Sequence, residues 1–212
     1  MMRSVAALRV APQPWKNGGG STRELLAWPD REHWRVRVSL ADIESNGPFS
    51  AFPGVMRWFA VLEGAGVELA FGDRRVHVEC GDAPFVFDGA LAPMCRLVNG
   101  PTRDLNLMLR GVSGAMVLAA DHRPWSPAGD GCGLFAAVGG TCHAAIEPPH
   151  PQGGRPARLG TALRRADAPI RVEAETLLWF DDVPPILRFA ADHDTGKPIG
   201  WWLQFASRGG AQ

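Results

Sequence analysis

The chain has 212 residues, 46% of them hydrophobic, enough for one large domain or two small fused ones. Its 22 Lys and Arg balance 22 Asp and Glu, so no basic excess points to nucleic acid or to an anionic membrane. No apolar run approaches the roughly 20 residues of a membrane span, and MMRSVAALRVAPQPW, interrupted by Arg9 and two prolines, is a poor signal peptide.

The first distinctive segment is WKNGGGSTREL, residues 15 to 25. Gly18, Gly19 and Gly20 weaken regular structure and can offer backbone N–H groups to a carboxylate without side-chain obstruction. Trp15 can wall a pocket and donate through its indole N–H, while Asn17 and Thr22 can donate and accept. Glu24 shares a face with Thr22 if 22 to 26 is a strand. The competing reading is a plain turn in which Asn17 bonds its own backbone.

From Trp34 onward, WRVRVSL sets Val36, Val38 and Leu40 on one face and Arg35, Arg37 and Ser39 on the other. ADIES is a candidate short helix. FSAFPG, residues 49 to 54, is an aromatic loop that either covers a barrel mouth or plugs a core. In MRWFAVL, Arg57 shares its face with Phe59 and Val61, which is unusual for a solvent-facing row. Arg37 and Arg57 are therefore candidate guanidinium anchors for a carboxylate, against a solvated row or an internal ion pair. VELAFG, RRVHVECGD, APFVFDG, MCRLVNG and LNLMLRG are further strand-length runs, most ending at a turn signal. Asp104, Asn106 and Met108 alternate against three leucines, so Asn106 faces either a lumen with Met108 or an exposed surface.

In the second half AMVLAA, GLFAAVGG, CHAAIE, TALRRA, IRVEA, LLWF, ILRFA and IGWWLQFAS read as strands. SPAGDGCG (126 to 133) and EPPHPQGGRPAR (147 to 158) read as loops. Trp201 and Trp202 take opposite faces, one buried and the other more exposed or at a subunit contact. The predicted fold is all-β with little helix: two antiparallel units, 1–111 and 112–212, packed as one body. Cys80, Cys95, Cys132 and Cys142 form no CxxC pair; Cys80, Cys95 and Cys142 sit in strand-like runs and read as buried thiols, which fits a reducing cytoplasm, with a disulfide as the alternative.

WKNGGGSTREL, RVSLADIESNGPFSAFPGVMRWFAVLEGAGVEL, DAPFVFDG and RDLNLMLRG together resemble the HutD/Ves family over most of the first 111 residues. The resemblance implies a cupin-like body of two jelly-roll halves, a barrel or sandwich. It also implies a small-molecule-binding protein linked to histidine utilisation, with a regulatory or flux-limiting role. The implied ligand is a small carboxylate such as a formylated glutamate or urocanate. The expected ligand-binding residues are Trp15, Asn17, Gly18, Gly19, Gly20, Thr22, Glu24, Arg37, Arg57 and Asn106. Neither metal nor cofactor is expected: RRVHVECGD offers only His77 and Glu79, without the HxH pair of a metallocupin.

There is no GxSxG elbow, and no Lys-Ser/Thr follows the glycines as a phosphate loop requires. One alternative is a metal-independent hydrolase or isomerase using Glu24, Asp42 or His77 for acid–base chemistry. Another is a structural or regulatory interaction module without a metabolite site. Nucleic acid and membrane are not expected partners, and a homodimer is held open because most soluble oligomers are symmetric.

Overall fold

The computed structural model describes residues 1–145 and 169–207, so the loop at 147–158 and the TALRRA strand lie outside the described residues. The first half contributes β1 (Met2–Ala6), β2 (Gln13–Pro14), β3 (Gly20–Trp28), β4 (Val36–Ile43), β5 (Gly47–Pro48) and β6 (Val55–Glu63). It continues with β7 (Val67–Phe71), β8 (Arg74–Val78), β9 (Phe85–Asp88), β10 (Met94–Leu97) and β11 (Thr102–Arg110). The second half contributes β12 (Val112–Leu118), β13 (Pro124–Trp125), β14 (Gly131–Ala136) and β15 (Gly140–Ala145). β16 (Ile170–Val172), β17 (Thr176–Phe180), β18 (Ile186–Ala191) and β19 (Gly200–Ser207) complete it. Helix is limited, among the described residues, to 3-10 turns at Ala7–Arg9 and Gly89–Leu91.

These strands form four antiparallel sheets stacked in layers. In the first unit a six-stranded sheet, β2-β3-β4-β11-β6-β9, faces a four-stranded sheet, β5-β10-β7-β8. In the second a five-stranded sheet, β1-β17-β14-β19-β12, faces a four-stranded sheet, β13-β18-β15-β16. The two large sheets meet in a central core built from Val36, Val38, Leu40, Leu105, Leu107, Leu177, Trp201 and Phe205, among others. No described sheet closes on itself, so each unit of this cupin-like body is a sandwich rather than a barrel.

Covering both faces of the large sheets explains most departures from the expected pattern. Trp201 enters the central core and Trp202 the outer core of the second unit, at 1% and 2% exposure, so neither is the exposed partner. ADIES begins as strand rather than helix: Ala41 to Ile43 complete β4, with Ile43 paired to both Gly20 and Thr102, and the strand ends before Glu44. The SPAGDGCG loop ends early because Gly131 and Gly133 belong to β14. A Cβ at Gly131 would lie 2.3 Å from the Phe205 ring, so this is a strand glycine required by close packing. β1 is not marked by the sequence pattern, and although it opens the chain it pairs with β17 in the second unit's sheet. No described helix is long and apolar enough to cross a membrane.

Candidate functional site

The first unit is hollow at one end. A cavity of about 690 Å³ opens there, its floor made from the face of the six-stranded sheet that turns away from the central core. Period-two alternation brings Arg37, Ser39, Ala41 and Ile43 from β4, Asn106 and Met108 from β11, and Arg57 and Phe59 from β6 onto this face. The register seats Met108 between Arg37 and Arg57, and Asn106 between Ser39 and Phe59. Trp15, Lys16, Asn17 and Thr22 line one side of the mouth, Phe49 and Phe52 the other. Of the row that alternates with Val36, Val38 and Leu40, Arg37 and Ser39 thus belong to the cavity floor rather than to a solvated face, whereas Arg35 does not line the cavity.

Arg57 is the least ordinary group in the cavity. It is only 7% exposed, and its Nη2 donates to Asn106 Oδ1 at 2.9 Å. Its guanidinium lies 4.9 Å from the Phe49 ring centroid, 5.0 Å from Phe87 and 5.9 Å from Phe52. Nε is buried without a partner, and no described carboxylate pairs with the group. Burial, reinforced by the charge of Arg37, lowers the guanidinium to about 10, so it remains a cation at neutral pH. Aromatic faces offset part of its lost hydration, but they do not neutralise it. Because Asn106 spends its Oδ1 on Arg57, its amide N–H groups remain as additional donors.

Arg37 is balanced differently. Its Nε donates to Glu24 Oε2 at 2.8 Å, and the other oxygen of Glu24 lies 3.0 Å from Arg31 Nε. The β3–β4 register shifts between Glu24 and Leu26, the kind of bulge that re-aims a side chain. Glu24 itself stands behind Arg37 rather than in the cavity wall.

The glycines serve the turn, contrary to the expectation that their N–H groups face a ligand. Gly18 N–H bonds Trp15 O at 3.0 Å, Gly19 N–H bonds Asn17 Oδ1 at 3.1 Å, and Gly19 O accepts from Glu44 N–H at 2.9 Å. A Cβ on Gly20 would fall 2.1 Å from Asp42 O and 3.1 Å from the Trp15 ring. The three glycines let the hairpin fold tightly beneath Trp15 and do not line the cavity. Trp15 Nε1 donates to Thr22 Oγ1 at 2.8 Å, which locks the indole at the mouth. Asn17 caps its own turn and also lines the cavity.

The acid–base candidates do not converge. Asp42 points toward the second unit, bonded to Arg23 and to Arg103, which also reaches Glu175 at 2.9 Å. Burial alone would raise its pKa, but the Arg103 and Arg23 hydrogen bonds more than offset this and lower it. His77 is exposed on β8, 3.5 Å from Glu68. No group of three or more potential metal-ligating side chains occurs among the described residues. Sequence reading did not place Lys16, Ser39 or Phe59 in the site. Asp104, which the alternation placed with Asn106 but to which no role was assigned, is fully buried on the same face of β11. Asp104 accepts from Thr102 Oγ1 at 2.9 Å, its Oδ1 lacks a partner, and burial raises its pKa well above 3.8.

The HutD family model matches residues 7–147 of this chain. Protein Ves of Citrobacter koseri is 40% identical over 100 residues, covering 45% of this chain and 51% of the relative. An uncharacterized 21.2 kDa protein in the hutC 3' region of Pseudomonas putida is 37% identical over 97 residues, covering 45% and 51%. The match therefore spans about half the length of these curated relatives. The solved structure of HutD from Pseudomonas fluorescens SBW25 (formate condition) superposes with a TM-score of 0.75 at 22% identity, covering 99% of this chain and 100% of that one. At that identity the likeness is one of fold.

Proposed function

This chain belongs to the HutD family, and from that premise we propose that it binds a small carboxylate, such as a formylated glutamate, another acylated amino acid or urocanate. The observation that carries the reading is Arg57, a buried cation with no described counter-ion, set in the floor of a cavity of about 690 Å³. An unpaired buried charge costs several kcal/mol. A carboxylate entering the cavity would neutralise Arg57, with Asn106 and Ser39 beside it. The volume lies within the roughly 300 to 1,000 Å³ of small-molecule sites. The hutC-region relative supports a link to histidine utilisation, where sequestering an intermediate would limit flux or assist regulation.

The test is a thermal-shift screen of the purified protein against N-formylglutamate, urocanate and small dicarboxylates, followed by calorimetry on any ligand that stabilises it. Arg57→Ala is expected to weaken binding tenfold or more, about 1.4 kcal/mol. An unchanged affinity in that variant removes Arg57 from the site, and a flat screen removes the reading itself.

A further inference from the structure

Resting on the carboxylate-binding reading, we infer that Glu24 is an internal competitor for Arg37. It makes the site selective for ligands whose second anionic group can displace it. Arg57 and Arg37 lie in one row of the sheet, each opposite Met108, so their backbones stand two strand spacings apart, about 10 Å. A short dicarboxylate can span two guanidinium groups reaching inward from such positions.

The two cations differ in availability. Arg57 meets a first carboxylate without competition, since only the neutral Asn106 engages it. Arg37 already has its charge balanced by the protein's own carboxylate, held through Nε at 2.8 Å, while its Nη1 lies 3.8 Å from Met108 Sδ. Ordinary anions therefore gain little at Arg37. A ligand anchored by Arg57 presents its second carboxylate at a high effective concentration and can exchange with Glu24. The displaced carboxylate is not stranded, because its other oxygen already lies 3.0 Å from Arg31, whose side chain is 75% exposed and can follow it outward. Glu24 is thus a specificity-determining residue behind the cavity wall, and Arg31 is its alternative resting place.

Calorimetry of glutarate and butyrate, identical but for the second carboxylate, tests this on wild type, Glu24→Gln and Arg31→Ala. Removing one protein charge also changes the field felt by each ligand charge, which would alter glutarate affinity by about the square of the butyrate factor. Glu24→Gln is expected to tighten glutarate tenfold or more, beyond that square, and to move butyrate by less than about twofold. Arg31→Ala is expected to weaken glutarate severalfold, again beyond the square of any butyrate change. Gains that follow the square, or a loss of glutarate binding in Glu24→Gln, overturn the inference and leave the carboxylate reading intact. If neither acid nor any other carboxylate binds the wild-type protein, both fall together.

Discussion

The two units share a plan, a large sheet facing a four-stranded one, yet their interiors are opposites. In the first, the inward face of the large sheet carries Arg37, Ser39, Arg57, Asn106 and Met108 and stays partly open. In the second, among the described residues, the corresponding layer is packed with Cys132, Leu134, Ala136, Leu178, Trp202 and Phe189, with Trp125 stacked on Trp202 at 5.0 Å. A solid apolar interior stabilises through burial and dispersion. A hollow one with an unpaired guanidinium gives up part of that stabilisation for the ability to receive a charge. Under the proposed carboxylate-binding reading, the second unit is the scaffold and the first does the recognition.

That contrast can be broken by substitution. The largest effect is expected for Phe189→Ala, which empties the packed interior: a loss of about 3 to 5 kcal/mol in denaturant unfolding, with carboxylate affinity unchanged in the protein that remains folded. A small loss would show that the second unit is not the scaffold. The first unit should behave in the opposite sense at its buried polar groups. Asp104 has a folded pKa raised above 3.8, so its protonated form favours folding; that contribution is complete below 3.8 and is lost as pH rises through the folded value. Asp104→Asn should remove the decline, and the stability difference between variant and wild type should grow from acidic to neutral pH. A constant difference would refute a neutral Asp104 in the fold.

Arg57→Met should raise the unliganded protein's stability by about 1 kcal/mol, since replacing a buried charge with an apolar group of similar reach is often stabilising, while carboxylate binding is lost. Destabilisation would mean that Asn106 and the aromatic rings already satisfy the guanidinium. The smallest change belongs to Thr22→Val, which removes the acceptor for Trp15 and should cost about 1 kcal/mol. A weaker indole fluorescence response to ligand would accompany it if Trp15 walls the mouth.

Much of the hollow unit is legible in the sequence because strand alternation needs only local information. Alternation alone puts Arg57 with Phe59, Asn106 with Met108, and Arg37 with Ser39, and all six line one cavity. The glycine run misleads for a physical reason. Whether a glycine N–H is free depends on what the turn itself consumes, and here Trp15 O and Asn17 Oδ1 take two of them. Glu24 misleads as well, since facing Thr22 on a strand does not reveal that a bulge and two arginines hold it behind the wall.

The sequence by itself determined the all-β class, the strand-by-strand alternation, the family and the pairs of polar residues that share a face. It could not decide what covers each face, because a period of two separates sides without naming which is solvent, core or cavity. Tertiary stacking decided that Trp201 and Trp202 are both interior, that β1 forms an edge of the far unit's sheet, and that one polar face becomes the floor of a cavity. Layers brought together from distant parts of the chain supply that information, and only their contact turns an alternating strand into a wall of solid core or the lining of a pocket.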